Sequence, residues 1–456
     1  LTFSAHPKDL DKWKEPAVTE EILGREAAGQ PDAATMLEYA KICAGRMRNL
    51  RRVLRAEWIG MSPHEMHELG HLLDWLLAGL IARENVLLLG WPGVAKTQVA
   101  IRTFQLLGLS QPEPDNALLD DSLETADRPY EWWQEREEIE RKRQKYFYYL
   151  LTRYTQPDEL FGPIEITLLR KGLLVRVNFG FLTGPGVRAA FLDEIFKGGS
   201  SILNTLLTLS QERRYFNWGG MRHSDLNIII GASNEMPGGF ATGTAGVGTR
   251  EADFQLLYAF LDRFVLRLYL PMALGKTPVE KAPSDKPVAM HSQLAEAWRV
   301  SMNRERASFT FGDHFAGNEA GSLPMPCIND VLFLGRCCFQ APNVGGRLEL
   351  FNAEALQRFD TAFLQTAADL QDKATNPRLG RITWTISPRK LNAVYKVALA
   401  HALVADDGFQ ATAARVNGPG PGDLYVFNLI WDSETSREPL RTLTMACVHE
   451  YCGRSS

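Results

Sequence analysis

The sequence predicts an α/β fold, a mainly parallel sheet followed by an all-α domain. Five short apolar runs rich in β-branched or aromatic residues lie at 85–89, 146–154, 188–192, 226–232 and 264–270, with helical patterns between them. Strands alternating with helices build parallel sheets, because each helix returns the chain to the same end of the sheet. The first run, NVLLLG, passes through a glycine-containing turn straight into a second helical pattern, TQVAIRTFQLL. Residues 290–410 are mostly helical in pattern.

A chain of 456 residues has room for two or three packed units. It is 45% hydrophobic and 23% charged, with a net charge of -4 and a pI near 6.2, the balance of an ordinary soluble globular protein. No strong basic field points to nucleic acid. No apolar run approaches the roughly 18–20 residues of a membrane span, and the N-terminus carries no signal-peptide pattern. The six cysteines (Cys43, Cys327, Cys337, Cys338, Cys447 and Cys452) suggest no disulfide framework. A reduced, cytoplasmic protein is therefore expected.

Taken in order, residues 18–58 read as a helix. Residues 62–82 read as a second one, with Ser62 as N-cap, Pro63 at the first helical position and Glu65 completing a capping box. Met66, Leu69, Leu72, Leu73, Leu76, Leu77 and Leu80 then form one apolar stripe at helical spacing. This helix contains His67-Glu68-Leu69-Gly70-His71, the H-E-x-x-H pattern with which zinc peptidases place two ligands and a general base. Here His64, His67 and His71 centre on the face opposite the leucines. Asp74 and Leu77 stand where the extended zinc motif needs glycine and histidine. The segment reads as a capped amphipathic helix, with a zinc metallopeptidase as a remote alternative.

Between the first two strands, residues 111–145 read as an insertion, a loop followed by a charged helix with Glu137–Arg141 and Glu138–Lys142 spaced i,i+4. Segments 168–184 and 212–227 read as hairpins, the latter turning at Gly219-Gly220. The domain division expected is a helical extension (1–54), an α/β core (55–272), a linker (273–289), a helical domain (290–410) and a C-terminal extension (411–456). The extension includes a strand-like run, LYVFNLIW.

The chemistry concentrates at strand ends. In LLLGWPGVAKT, Gly90, Pro92, Gly93, Val94, Ala95, Lys96 and Thr97 have the strand–loop–helix context of a phosphate loop. Backbone N–H groups at a helix N-terminus can wrap phosphates. Lys96 would reach the β- and γ-phosphates of a bound ATP, and the Thr97 hydroxyl would bind Mg²⁺. The general pattern wants glycine before the lysine, and this chain has Ala95. A second apolar run ends in Asp193-Glu194, placing one carboxylate to hold Mg²⁺ through water and one to polarise the attacking water. A third, IIIGASN, offers Asn234 to orient that water.

These segments, with LLTRYTQPDELFGPIEI, AAFLDEIFKGGSSILNTLLTLSQERRYF, LLYAFLDRFVLRLYL and ISPRKLNAV, run in one order over about residues 55–405. Together they resemble the MoxR branch of the AAA+ ATPases, closest to its RavA-like members. The resemblance implies an AAA+ sheet of order 5-1-4-3-2 and a helical lid. It implies ring hexamers with ATP bound between subunits, and ATP hydrolysis. It makes 168–184 the helix-2 insert and 212–227 the pre-sensor-1 hairpin, both facing the ring axis. Arg263 matches the arginine finger, with Arg267 as substitute, and Arg389 matches sensor 2. Gly60 and Met61 sit where relatives pack the adenine. Ala95 is expected in this branch, whereas Trp91 and the long insertion are unusual. Members act as chaperone-like remodellers, typically with a von Willebrand factor A domain partner. Related branches carrying a helix-2 insert include nucleic-acid motors and metal-chelatase subunits. Arg170, Lys171, Arg176, Arg213, Arg214 and Arg222 on the two inserts keep that alternative open.

Overall fold

The computed structural model describes residues 33–57, 63–90, 92–111, 130–170, 172–234, 261–270, 325–339, 351, 353–374, 387–405, 419, 421–430, 440–442 and 444–445. Helix α1 (Ala33–Glu57) and helix α2 (Pro63–Ala82) lead into strand β1 (Val86–Leu89) and helix α3 (Lys96–Leu106). Helix α4 (Tyr130–Lys142), β2 (Lys145–Leu150), the short helices α5 (Pro157–Phe161) and α6 (Ile166–Arg170), and β3 (Val187–Asp193) follow. Helix α7 (Ser200–Glu212), the hairpin β4 (Arg214–Asn217) and β5 (Gly220–His223), β6 (Ile228–Ser233) and β7 (Leu266–Tyr269) complete the α/β part. Beyond it come α8 (Ile328–Phe339), α9 (Ala353–Ala374) and α10 (Pro388–Val404), then a 3₁₀ segment (Pro421–Leu429).

All five core strands pair in parallel, in the order β2-β3-β6-β1-β7. Counting core strands alone, this is the expected 5-1-4-3-2. Every residue of β1 and β6 is buried, as for central strands covered on both faces. Register Val86↔Ile230 and Val86↔Leu266 aligns β1 with both neighbours, so the loops after β1, β3 and β6 emerge at one end of the sheet.

The N-terminal helix is part of the helical layer rather than an appendage. Arg46 on α1 makes a buried salt bridge with Asp330 on α8 at 3.0 Å, and Arg48 donates to the Leu403 carbonyl on α10 at 3.0 Å. Arg51 and Arg55 both hold Asp74 on α2. The second half of α2 is buried on all sides, because α1 and α10 cover the face opposite the leucine stripe. That corrects the expectation of a polar outer face there, since Asp74 is buried and ion-paired. The backbone at 63–71 is helical as expected, while the side chains of His64, His67, Glu68 and His71 lie outside the described residues. Among the described residues, no group of three or more His, Cys, Asp or Glu side chains gathers as a metal site of protein ligands alone, and no helix is long and apolar enough to cross a membrane.

Four further expectations change. Helix α4 is largely exposed and carries the expected Glu138–Lys142 pair at 3.8 Å, but Glu140 is buried and bonded by Lys145 and Arg143, and Arg141 pairs with Asp225 at 3.2 Å. Segment 168–184 is no β-hairpin. Helix α6 turns at Gly172, and the returning leg pairs antiparallel with residues before the helix, through Glu165 N to Val175 O and Val177 N to Pro163 O. The β4–β5 hairpin turns at Trp218-Gly219, both with positive φ as its two-residue loop requires, one position earlier than read. Finally, the described part of LYVFNLIW is 3₁₀ through Leu429 rather than strand. At three residues per turn, Leu424, Phe427 and Ile430 share one buried face against α10 and β7.

Candidate active site

The site begins where β1 ends. Gly90 has φ 149°, and a side chain there would meet the Leu270 carbonyl at 2.8 Å, so the strand can turn outward only through glycine. Gly93 also has positive φ (83°). Ala95 adopts the left-handed conformation (φ 66°, ψ 25°) at the N-cap of α3, and no side chain caps that helix. Its first N–H groups are thus left to a ligand at the positive end of the helix dipole. The general motif's glycine would sit here without strain. Ala95→Gly is therefore expected to raise unfolding stability by about 0.5–1 kcal/mol, read from urea denaturation with and without nucleotide.

Lys96, first residue of α3, donates from Nζ to the Gly90 carbonyl and to Asn234 Oδ1, each at 2.7 Å. Burial lowers its pKa from the usual ammonium range, and the charges of Asp193 and Glu194 oppose that shift. Thr97 donates from Oγ1 to Asp193 Oδ2 at 3.1 Å. Asp193 closes β3, and its other oxygen accepts the Glu194 N–H at 3.0 Å. Glu194 is left-handed (φ 51°, ψ 44°), an uncommon conformation for a non-glycine residue, which separates its side chain from that of Asp193. Asn234, just past β6, donates from Nδ2 to Glu194 Oε1. With oxygen toward the ammonium and nitrogen toward the carboxylate, the amide satisfies both neighbours in the only sense possible. Lys197 Nζ stands 3.5 Å from the same Glu194 oxygen, a neighbour the sequence reading did not single out.

Thus Lys96, Thr97, Asp193, Glu194 and Asn234 converge at the carboxyl end of three adjacent strands. An ammonium, a helix N-terminus, a hydroxyl–carboxylate pair and a second carboxylate form a set able to hold a polyphosphate and a divalent cation and to polarise a water. The residues fit ATP with Mg²⁺.

The two remaining arginines are elsewhere. Arg263 lies three positions before β7, and its carbonyl accepts from Asn85 Nδ2 at 3.3 Å. Asn85 precedes β1, so Arg263 sits at the amino end of the sheet, a β1 length of about 13 Å from the phosphate loop. Arg389, at the start of α10, donates to Gln211 Oε1 at 3.0 Å and stands 3.9 Å from Asp262 Oδ2. Ser387 fixes this helix start by accepting the Lys390 N–H at 3.1 Å, with Pro388 as first helical residue. Burial and the neighbouring Arg389 charge both lower the Arg263 pKa, against Asp262. Arg267, the substitute candidate, is ruled out by burial. It is 1% exposed and donates to the Ile430 and Leu261 carbonyls, each at 2.9 Å. Gly60 and Met61 lie outside the described residues, as does Trp91.

A phosphate loop on a central strand of a 5-1-4-3-2 sheet, with an acidic pair and a polar residue on the next two strand ends, defines the AAA+ class of P-loop proteins. Residues 137–275 match the family model described as "MoxR domain in the MoxR-vWA-beta-propeller ternary systems". Over these residues the chain is similar to the MoxR branch of the AAA+ ATPases. Two uncharacterized proteins of Methanocaldococcus jannaschii are each 33% identical to it over 196 residues, 43% of this chain. The match spans 39% and 38% of their own lengths, so the chain corresponds to well under half of these curated relatives. The crystal structure of "a putative ATPase" from Cytophaga hutchinsonii superimposes with a TM-score of 0.51 at 15% identity, covering 90% of this chain and 97% of that one. At that identity the likeness supports the fold alone.

Proposed function

We propose that the protein is an ATP-hydrolysing, ring-forming remodelling machine. One observation carries this reading: its catalytic groups fall into two half-sites at opposite ends of the sheet. Lys96, Thr97, Asp193, Glu194 and Asn234 stand at the carboxyl end, and Arg263 with Arg389 at the amino end. The arginines do not reach their own subunit's phosphate loop. Burial and the Arg389 guanidinium beside it lower the affinity of Arg263 for its proton, and a polyphosphate brought between the two would relieve that repulsion. Head-to-tail packing joins one subunit's arginines to its neighbour's loop, and a heterologous contact of this kind gives a ring when the rotation between subunits closes.

In this reading Thr97 and Asp193 would hold Mg²⁺, which spreads the charge of the β- and γ-phosphates. Lys96 and the N–H groups of Gly93 to Lys96 bind the phosphates. Glu194 accepts a proton from the attacking water, and Asn234 fixes the carboxylate's orientation. Arg263 and Arg389 both act in trans, stabilising charge on the transferred phosphoryl group. Hydrolysis then depends on how neighbouring subunits sit, which couples chemistry to subunit rotation.

The family description, which names a MoxR–vWA–beta-propeller system, supports a von Willebrand factor A domain partner. The nucleic-acid alternative loses support from the inserts. Arg176 is committed to Asp158 and the Gly162 carbonyl, and Arg213 is turned inward onto Asn85. The test is turnover against concentration. Mg²⁺-dependent ATP hydrolysis per subunit should rise steeply as rings assemble, with assembly followed by light scattering. Full specific activity in a dilute monomer would overturn the interfacial site.

A further inference from the structure

Asn85 belongs to neither half-site, yet it touches the elements carrying both. It is 3% exposed and directly precedes β1, the strand that holds the phosphate loop. Its Nδ2 donates to the Ser210 carbonyl at 3.1 Å and to the Arg263 carbonyl at 3.3 Å. Its Oδ1 accepts the Ile229 N–H at 3.1 Å and Arg213 Nη2 at 3.1 Å. Two donors and two acceptors are all a carboxamide has, so the group is saturated. Each partner lies on, or directly beside, a strand or helix connected to the site. Ile229 is on β6, which delivers Asn234. Ser210 is near the end of α7, which follows Glu194. Arg263 is the residue presented to the neighbour.

We infer that Asn85 is a positioning residue for Arg263, linking the phosphate-loop half-site of a subunit to the arginine half-site that the same subunit offers its neighbour. The inference rests on Arg263 acting in trans. Asn85 fixes the main chain of the arginine, not its guanidinium, so its loss displaces the finger without removing it. Because the amide oxygen is tied to β6 and the nitrogen to Arg263, a shift of the strands under the phosphate loop moves the arginine backbone with them. No other hydrogen-bonding side chain of this size suits the place. An aspartate keeps the acceptors for Ile229 and Arg213 but has no hydrogen to give the Arg263 carbonyl.

That difference supplies the test. Asn85→Asp is expected to fold, as judged by circular dichroism and thermal unfolding, with an unchanged KM for ATP. Its kcat should fall by about 10²-fold, the scale of misplacing a reacting group by an ångström. Asn85→Asp with Arg263→Ala should be no slower than Arg263→Ala alone. Mixing Asn85→Asp subunits with Glu194→Gln subunits should restore turnover, because the second supplies an intact arginine to the first's intact phosphate loop. Mixing Asn85→Asp with Arg263→Ala should restore none. Wild-type kcat in Asn85→Asp, a raised KM with unchanged kcat, or multiplicative losses in the double variant would each sink the inference while leaving the trans arginine intact. Wild-type kcat in Arg263→Ala would remove the reading beneath it and the inference together.

Discussion

Glu194→Gln is expected to lower steady-state ATP hydrolysis by about 10³-fold, within the range that a positioned general base contributes. Glutamine keeps an oxygen that can accept from Asn234 Nδ2 and leaves Asp193 bonded to Thr97 and to the Glu194 N–H. It removes only the basic carboxylate. Nucleotide affinity, measured by fluorescent-nucleotide titration, should therefore stay at the wild-type level, and rings should form and persist with ATP bound. Sustained turnover in this variant would require a different base, and Asp193, engaged with Thr97, is badly placed to be one.

Arg263→Ala is expected to cost a comparable factor, about 10³ in kcat, the lower end of what arginine fingers contribute. It should leave each subunit's own nucleotide binding intact, since Arg263 lies at the other end of the sheet from Lys96. The decisive measurement mixes two inactive proteins. Arg263→Ala subunits retain Glu194, and Glu194→Gln subunits retain Arg263. In a mixed ring, some interfaces pair an intact phosphate loop with an intact arginine, so activity should return. An arginine acting on its own subunit's nucleotide would give no recovery at any mixing ratio. Arg389→Ala, analysed in the same mixtures, should behave as Arg263→Ala does, because Asp262 and Gln211 hold it beside Arg263.

Much of the site was legible in the sequence because it is local. A strand, a glycine turn and a helix are consecutive, and so are a buried strand and the acids that close it. Lys96, Thr97, Asp193, Glu194 and Asn234 could be named because each follows an apolar run directly, and parallel strands bring the ends of such runs together. Arg267 was misjudged because it lies on the same short strand as the finger segment, and only packing against Leu261 and Ile430 decides that it faces inward. Asn85 was invisible as more than the first polar residue of a strand. Its four partners come from positions 210, 213, 229 and 263, which no spacing relates. The tail was misread because a run of mixed apolar residues fits strand and 3₁₀ periods alike over eight positions.

By itself the sequence determined that this chain builds a parallel sheet with a glycine turn leading from its first strand into a helix, and which residues close the strands around that turn. Those properties follow from dihedral preference, hydrophobic period and chain continuity, which act between neighbours. The tertiary structure alone decided that Arg263 and Arg389 stand at the far end of the sheet from Lys96, that Arg267 is internal, and that α1 is built into the helical layer. Strand order and helix packing place residues hundreds of positions apart within hydrogen-bonding distance. The free energy of those contacts comes from burial and from saturating buried polar groups, and no local pattern records it.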